Sequence, residues 1–193
     1  MGRERRRRQA ALAGHSRDEV AARHLLDDPD GRVRATALAA LVRMGAAQPG
    51  DLAGALTDAD AVVRRRACEL AAAGEVDLAP SLADGEAAVV EAAAWALGER
   101  GRRGAGAVGA LADVATTHED PLCREAAVAA LGAIGDVRGL VAVLAATRDR
   151  PAVRRRAVIA LAAFEGPEVD AALERALTDR DWQVRQAAED LKE

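Results

Sequence analysis

Tyrosine is absent from this 193-residue chain, phenylalanine occurs once and tryptophan twice. A core without rings has to be closed by helices that approach one another tightly. With strand-forming Tyr, Phe and Thr all scarce, a sheet is excluded as the organising element. No apolar run reaches the roughly 20 residues that a bilayer span requires. The basic start, MGRERRRR, is followed by no apolar stretch of the kind a secretory signal needs, so no export is expected. Lysine appears only at Lys192, histidine only at His15, His24 and His118, and cysteine only at Cys68 and Cys123. A net charge of −4 with 30% charged residues describes a soluble chain without strong polarity.

Alanine dominates what is present, and it is the strongest helix former. The alanines fall into a pattern. In Leu122–Asp136, LCREAAVAALGAIGD, the residues Cys123, Ala127, Leu131 and Ile134 lie at offsets 0, 4, 8 and 11, one face of a helix. The same signature, Val-Arg followed by Ala, Leu and Gly, recurs at Val33 and Val63, at Val89 with Val90 in place of the arginine, and without the glycine at Val153 and Val184. The steps are 30, 26, 34, 30 and 31 residues. Six copies at a near-constant period mark a repeat architecture.

A shorter helix precedes each signature helix. The first opens at a capping box, Ser16-Arg17-Asp18-Glu19, and others run from about Pro49, Glu75, Ala107, Asp136 and Pro167. Pro80 predicts that the third is short or kinked. Leu-x-Asp turns (Asp58, Asp84, Asp179) are expected to cap the signature helices. The recurrent arginines Arg34, Arg64, Arg124, Arg154 and Arg185 sit beside those aspartates and predict an Asp–Arg ladder between layers. Cys68 and Cys123 fall two units apart, on the order of 20 Å at ~10 Å per layer, too far for a disulfide. Reduced thiols in a cytoplasmic compartment are expected.

The motif D-x-x-V-R-x-x-A-x-x-A-L-G-x-I-G-D, nearly complete in residues 120–136, resembles the HEAT repeats of phycobilisome-lyase type, and the resemblance runs from about Ser16 to the end. It implies an all-α fold, a right-handed α-solenoid of about six HEAT-like helix pairs. Residues 1–15 then read as a basic lead-in and 16–193 as one solenoid domain. Such repeats serve as scaffolds, adaptors and lyase subunits alike, so function has to come from the residues themselves.

Catalytic signals are weak. Gly104-Ala-Gly-Ala-Val-Gly109 spells GxGxxG, but a dinucleotide site requires a preceding strand, and a lengthened connection is the better reading. HEAT-repeat deoxyhypusine hydroxylases carry His-Glu pairs early in their second helices. Here those places hold Arg65-Arg66, Glu91-Ala92 and Glu125-Ala126, and His118-Glu119 lies in a loop. Neither a metal nor a cofactor nor a catalytic residue is expected. Cys123 occupies a core position, where cysteine acts as a small hydrophobe.

The exposed line of the signature helices carries the individuality. It runs through Arg32 and Arg43; Arg65, Arg66 and Glu69; Glu91, Trp95 and Glu99; Glu125 and Ala129; Arg155, Arg156 and Ile159; and Trp182, Gln183 and Gln186. By the resemblance, second helices line the concave face, which makes this the binding groove for another protein or peptide. Trp95 would anchor the partner, with Arg65, Arg66, Arg155 and Arg156 as polar contacts and Glu91 and Glu99 selecting its charge. A monomer working without a membrane is expected. The run Arg3–Arg8 raises nucleic acid as an alternative partner, against the acidic balance of the remaining chain. An accessory lyase- or chaperone-like subunit is the other alternative.

Overall fold

The computed structural model describes residues 2–192, and the regular elements among them are all helical. They form two compact units, one up to Asp77 and one from Leu78 onward. The first contains α1 (Arg3–Ser16), α2 (Glu19–His24), α3 (Gly31–Met44), α4 (Pro49–Ala55) and α5 (Ala61–Leu70). The second opens on a 3₁₀ stretch, Ala79–Ala83, and continues through α6 (Ala87–Glu99), α7 (Val108–Thr117) and α8 (Pro121–Ile134). It ends with α9 (Leu140–Ala146), α10 (Pro151–Ala160), α11 (Pro167–Ala176) and α12 (Trp182–Asp190). Pro80, with no amide to donate, falls in the 3₁₀ stretch that replaces a full first helix in that repeat.

The signature positions are the core. Val33, Val63, Val89, Cys123, Val153 and Val184 are buried, as are Ala37, Ala67, Ala93, Ala127, Ala157 and Ala188 four residues later. Alanine at the second place lets neighbouring second helices press backbone to backbone. Glycine extends the device, because a Cβ on Gly14 would sit 3.1 Å from the Ala40 Cα, and one on Gly98 3.1 Å from the Ala130 Cα. The helix of the Leu122–Asp136 stretch, α8, ends at Gly135, whose φ of +65° lets its amide return to the Leu131 carbonyl.

Two expectations about helix ends need correcting. The Leu-x-Asp aspartates do not cap. Asp30, Asp60, Asp120 and Asp181 do, each accepting the amide two residues on at 2.9–3.0 Å. Asp58 and Asp179 instead accept the amides of Asp60 and Asp181 at 2.8 Å, shaping the turn before the cap. Ser16 likewise does not open α2. It closes α1, its hydroxyl donating to the Leu12 carbonyl, and Asp18 caps α2 by accepting the Ala21 amide at 3.0 Å.

The expected boundary after residue 15 therefore falls within the last turn of α1. That helix is no lead-in: it packs on α3 with Ala10 and Ala13 buried, and it fills the place of a second helix. Its Arg6 makes the contact that the recurrent arginines make elsewhere, reaching Asp28 at 2.6 Å.

The arginine ladder is present within each unit. Arg34 holds Asp58 through two bonds of 2.8 and 2.5 Å, Arg124 holds Asp149 at 2.6 and 2.8 Å, and Arg154 holds Asp179 at 2.9 and 2.7 Å. The free Nη1 of each donates backward to a turn carbonyl, of Asp28, His118 and Asp149 respectively. One guanidinium thus ties its own turn to the next layer. These bonds hold the Asp58, Asp149 and Asp179 carboxyls below their usual value of 3.8, against a smaller opposing effect of burial. A carboxyl depressed on folding stabilises the native state above its unfolded value and loses that contribution as pH falls below it. The melting temperature is therefore expected to stay flat from about pH 8 to 5 and to fall steeply below about pH 4. Thermal melts across that range check it; a melting temperature unchanged at pH 3 would contradict the ladder.

Candidate functional site

The second helices expose one face in each unit. In the first, α3 lies between α1 and α5, and a groove of about 470 Å³ runs over them. Its walls include Arg7, Arg32, Arg43, Arg65, Arg66 and Glu69, with Ala35, Thr36, Ala39 and Val62 completing the lining. Glu69 sits between two of the arginines, 3.1 Å from Arg65 Nε and 2.7 Å from Arg66 Nη1. The sequence brings them together because residues three and four apart share a helical face. Arg43 Nη1 lies 3.5 Å from the His15 ring. Among the described residues Arg7 and Arg32 have no carboxylate within ion-pairing distance, and both are exposed.

In the second unit the equivalent register positions on α6, α8 and α10 are Trp95, Ala129 and Ile159. Trp95 is 48% exposed, with Glu91 and Glu99 one turn to either side and also exposed. A groove of about 290 Å³ between α8 and α10 is lined by Ala129, Gly132, Ala133, Arg156, Ile159 and small residues of the following turn. Arg156 is tethered to Glu125 at 3.4 Å, while its Nε has no hydrogen-bond partner among the described residues. Ile159 stands half out of the protein. Arg155 is partly exposed and lies outside that groove, as does Trp182, the first residue of α12, which is 65% exposed.

The residues read from sequence thus separate into two sets. Arg65, Arg66 and Glu69 join Arg32 and Arg43 in the first unit; Arg156 and Ile159 share a groove in the second, and Glu91, Trp95 and Glu99 form one line on α6. Arg7 escaped the sequence reading because the arginine run was set apart from the repeats. Its signal was there: once Arg6 is placed as a ladder arginine, Arg7 faces the groove.

Other candidates have structural explanations. A Cβ on Gly104 would lie 2.6 Å from the Leu97 carbonyl oxygen, so this glycine is needed for a 3₁₀ connection pressed against α6, and no strand precedes it among the described residues. Cys68 and Cys123 are both buried, and neither is in a disulfide. The Cys123 thiol donates to the Ala87 carbonyl at 3.2 Å, and burial pushes its pKa up to about 11, away from any nucleophilic thiolate. Among the described residues no group of three or more His, Cys, Asp or Glu is placed to hold a metal ion, and no helix is long and apolar enough to cross a membrane.

Helix pairs stacked through buried Val-Arg-x-x-Ala signatures define an α-solenoid of the helical-repeat class. Residues 75–152 match the family model described as HEAT repeats. An engineered protein of known crystal structure superimposes with a TM-score of 0.65 at 22% identity, covering 91% of this chain and 96% of that one. Computationally designed armadillo repeat proteins for modular peptide recognition give 0.54 at 18% identity, with 97% and 89% covered. Human deoxyhypusine hydroxylase gives 0.52 at 21% identity, with 97% and 77% covered. At such identities the likeness is one of fold. No curated protein matches the sequence.

Proposed function

We propose that this chain is a non-catalytic binding scaffold that takes up a segment of another protein on the exposed faces of its second helices. The observation that carries this reading is Trp95. A chain with two tryptophans leaves this one 48% exposed on a helix whose other face is buried alanine, valine and leucine. Leaving so large an apolar surface in water is unfavourable unless something covers it, and tryptophan is among the residues that dominate binding interfaces. Glu91 and Glu99 flank it and would choose a partner side chain that is neutral or basic. Arg155, Arg156 and Ile159 supply further contacts in the same unit, Arg65, Arg66 and Glu69 those of the other, and Trp182 an apolar contact at the start of α12. The designed armadillo proteins, made for peptide recognition, support the same use of a similar fold. A cytoplasmic monomer without cofactor fits this role.

Trp95→Ala is expected to weaken partner retention from native cell extract by about thirtyfold or more, the loss of an anchor of ~2 kcal/mol. Arg155→Glu should weaken it as well, and both variants should melt within about 2 °C of the parent. Normal retention by both, or unfolding of Trp95→Ala, would end the proposal.

A further inference from the structure

The first unit, up to Asp77, contains no tryptophan, phenylalanine or tyrosine. Its groove is organised by charge instead. Five arginines face it and one glutamate. Ala35, Thr36 and Ala39 of α3 make a low floor, Arg7 of α1 stands on one side, and Arg65 and Arg66 of α5 stand on the other. Arg32 and Arg43 mark the two ends of α3, eleven residues and so about 16 Å apart along the helix. That length matches about five residues of extended chain.

Five guanidinium groups around one trough repel each other, and the trough's own counter-charge is small. Glu69 is already shared between Arg65 and Arg66, and Arg7 and Arg32 have no carboxylate partner among the described residues. Nothing within the unit explains the cluster: the ladder arginines that build the fold point elsewhere, Arg6 to Asp28 and Arg34 to Asp58. We infer that this trough receives an extended acidic segment of a partner protein, its aspartates and glutamates engaging Arg7, Arg32 and Arg43 and competing with Glu69 for Arg65 and Arg66. The inference rests on the scaffold reading and names the chemistry of one ligand. Guanidinium forks suit carboxylates, which they grip through two parallel bonds. A polynucleotide fits less well. The unit offers no tryptophan, tyrosine or phenylalanine for a base to stack on, the groove contains no lysine, and Glu69 and the net charge of −4 oppose a long polyanion.

The test uses the full chain on an array of random dodecapeptides sorted by net charge, beside a twelve-nucleotide single-stranded DNA. Captured peptides are expected to be enriched in aspartate and glutamate, and their binding to fall as salt rises. The double variant R7S/R32S, which removes two exposed arginines outside the ladder, should weaken that binding roughly tenfold. Glu69→Gln, which frees Arg65 and Arg66, should strengthen it severalfold. Peptides captured without acidic bias, or a bias that survives R7S/R32S, would overturn the inference and leave the scaffold reading standing. DNA held more tightly than any acidic peptide would overturn it in favour of a nucleic-acid surface. Capture of no peptide at all would overturn both readings.

Discussion

Arg154→Ala is expected to lower the melting temperature by roughly 6–12 °C, a loss of about 3 kcal/mol. The side chain is only 8% exposed and makes three bonds, two to Asp179 and one of 2.8 Å to the Asp149 carbonyl. Alanine leaves a mostly buried carboxylate without its counter-charge, since among the described residues the other hydrogen bond to the Asp179 carboxylate comes from the Asp181 amide. It also strands a turn carbonyl and opens a cavity where the stem packed. The loss should appear first in the last layer, because each repeat is stabilised mainly by its neighbours. Trp182 stands next to the cap of α12, so its fluorescence, isolated in a Trp95→Phe background, should melt ahead of helicity. Two comparisons locate the effect. Arg155→Ala, one residue on and more exposed, should stay within about 0.5 kcal/mol. The pair Arg154→Ala/Asp179→Ala should cost less than the sum of its singles by 1–3 kcal/mol, about the coupling of a shared bond pair. An Arg154→Ala protein that melts like the parent would show the ladder to be ornamental.

The ladder also shows why so much of the fold was legible in the residues. A buried face repeats at fixed offsets because each layer solves the same packing problem, so Val, Ala and Leu positions could be assigned one helix at a time. The Arg–Asp rung was readable for the same reason: its partners sit at a near-constant distance in sequence, 22 to 25 residues. Caps were misplaced by two residues because the turns before α3, α5 and α12 carry two aspartates, as in Asp58 and Asp60, and both can accept an amide. The structure adds that the first serves the arginine and the second caps the helix. The site was harder to read. Exposure of Trp95, Ile159 and Trp182 follows from helical phase. The meeting of Arg7 with Arg32, Arg43, Arg65 and Arg66 requires knowing that α1 belongs to the stack, and its sequence departs from the signature, with arginine where the other copies have valine or cysteine. A run of arginines looks the same whether it is solvated along its length or divided between a rung, Arg6, and a groove, Arg7.

The division of labour within each second helix has a physical basis. One side is fixed by close approach and tolerates only small residues; the turn before it is fixed by the rung. What remains free to vary is the exposed line, and there the copies differ most: arginines on α3 and α5, glutamate and tryptophan on α6, alanine on α8. The repeat with the most regular signature, α8, is therefore the one with the least to offer a ligand, and its contribution is to the stack.

That contribution is concentrated at Gly132. Gly132→Val is expected to destabilise the protein by about 3 kcal/mol, and Gly132→Ala by about 1–2 kcal/mol. A Cβ at this position would lie 2.7 Å from the Ala160 Cβ and 2.9 Å from the Ala160 Cα, closer than side-chain carbons approach a neighbouring backbone. The obstacle belongs to the main chain of α10, so no rotamer change relieves it; α8 and α10 have to move apart, and every alanine contact along their shared face lengthens with them. Alanine gains up to about 1 kcal/mol in helix propensity over glycine, which is why its net cost is the smaller. The sign of the effect decides the matter, because the same exchange at an open helical glycine should go the other way. Gly109, in the first turn of α7, has nothing within 4 Å of its added Cβ, and Gly109→Ala should be neutral or stabilising by a few tenths of a kcal/mol. Ala160→Gly placed in the Gly132→Ala background removes the 2.7 Å contact and leaves the 2.9 Å one, so it should recover part of the loss despite its own propensity cost. Urea melts of the four proteins measure these differences. If Gly132→Ala gains stability as Gly109→Ala does, the helices are not held by close approach, and the packing described for the alanine-rich core is wrong.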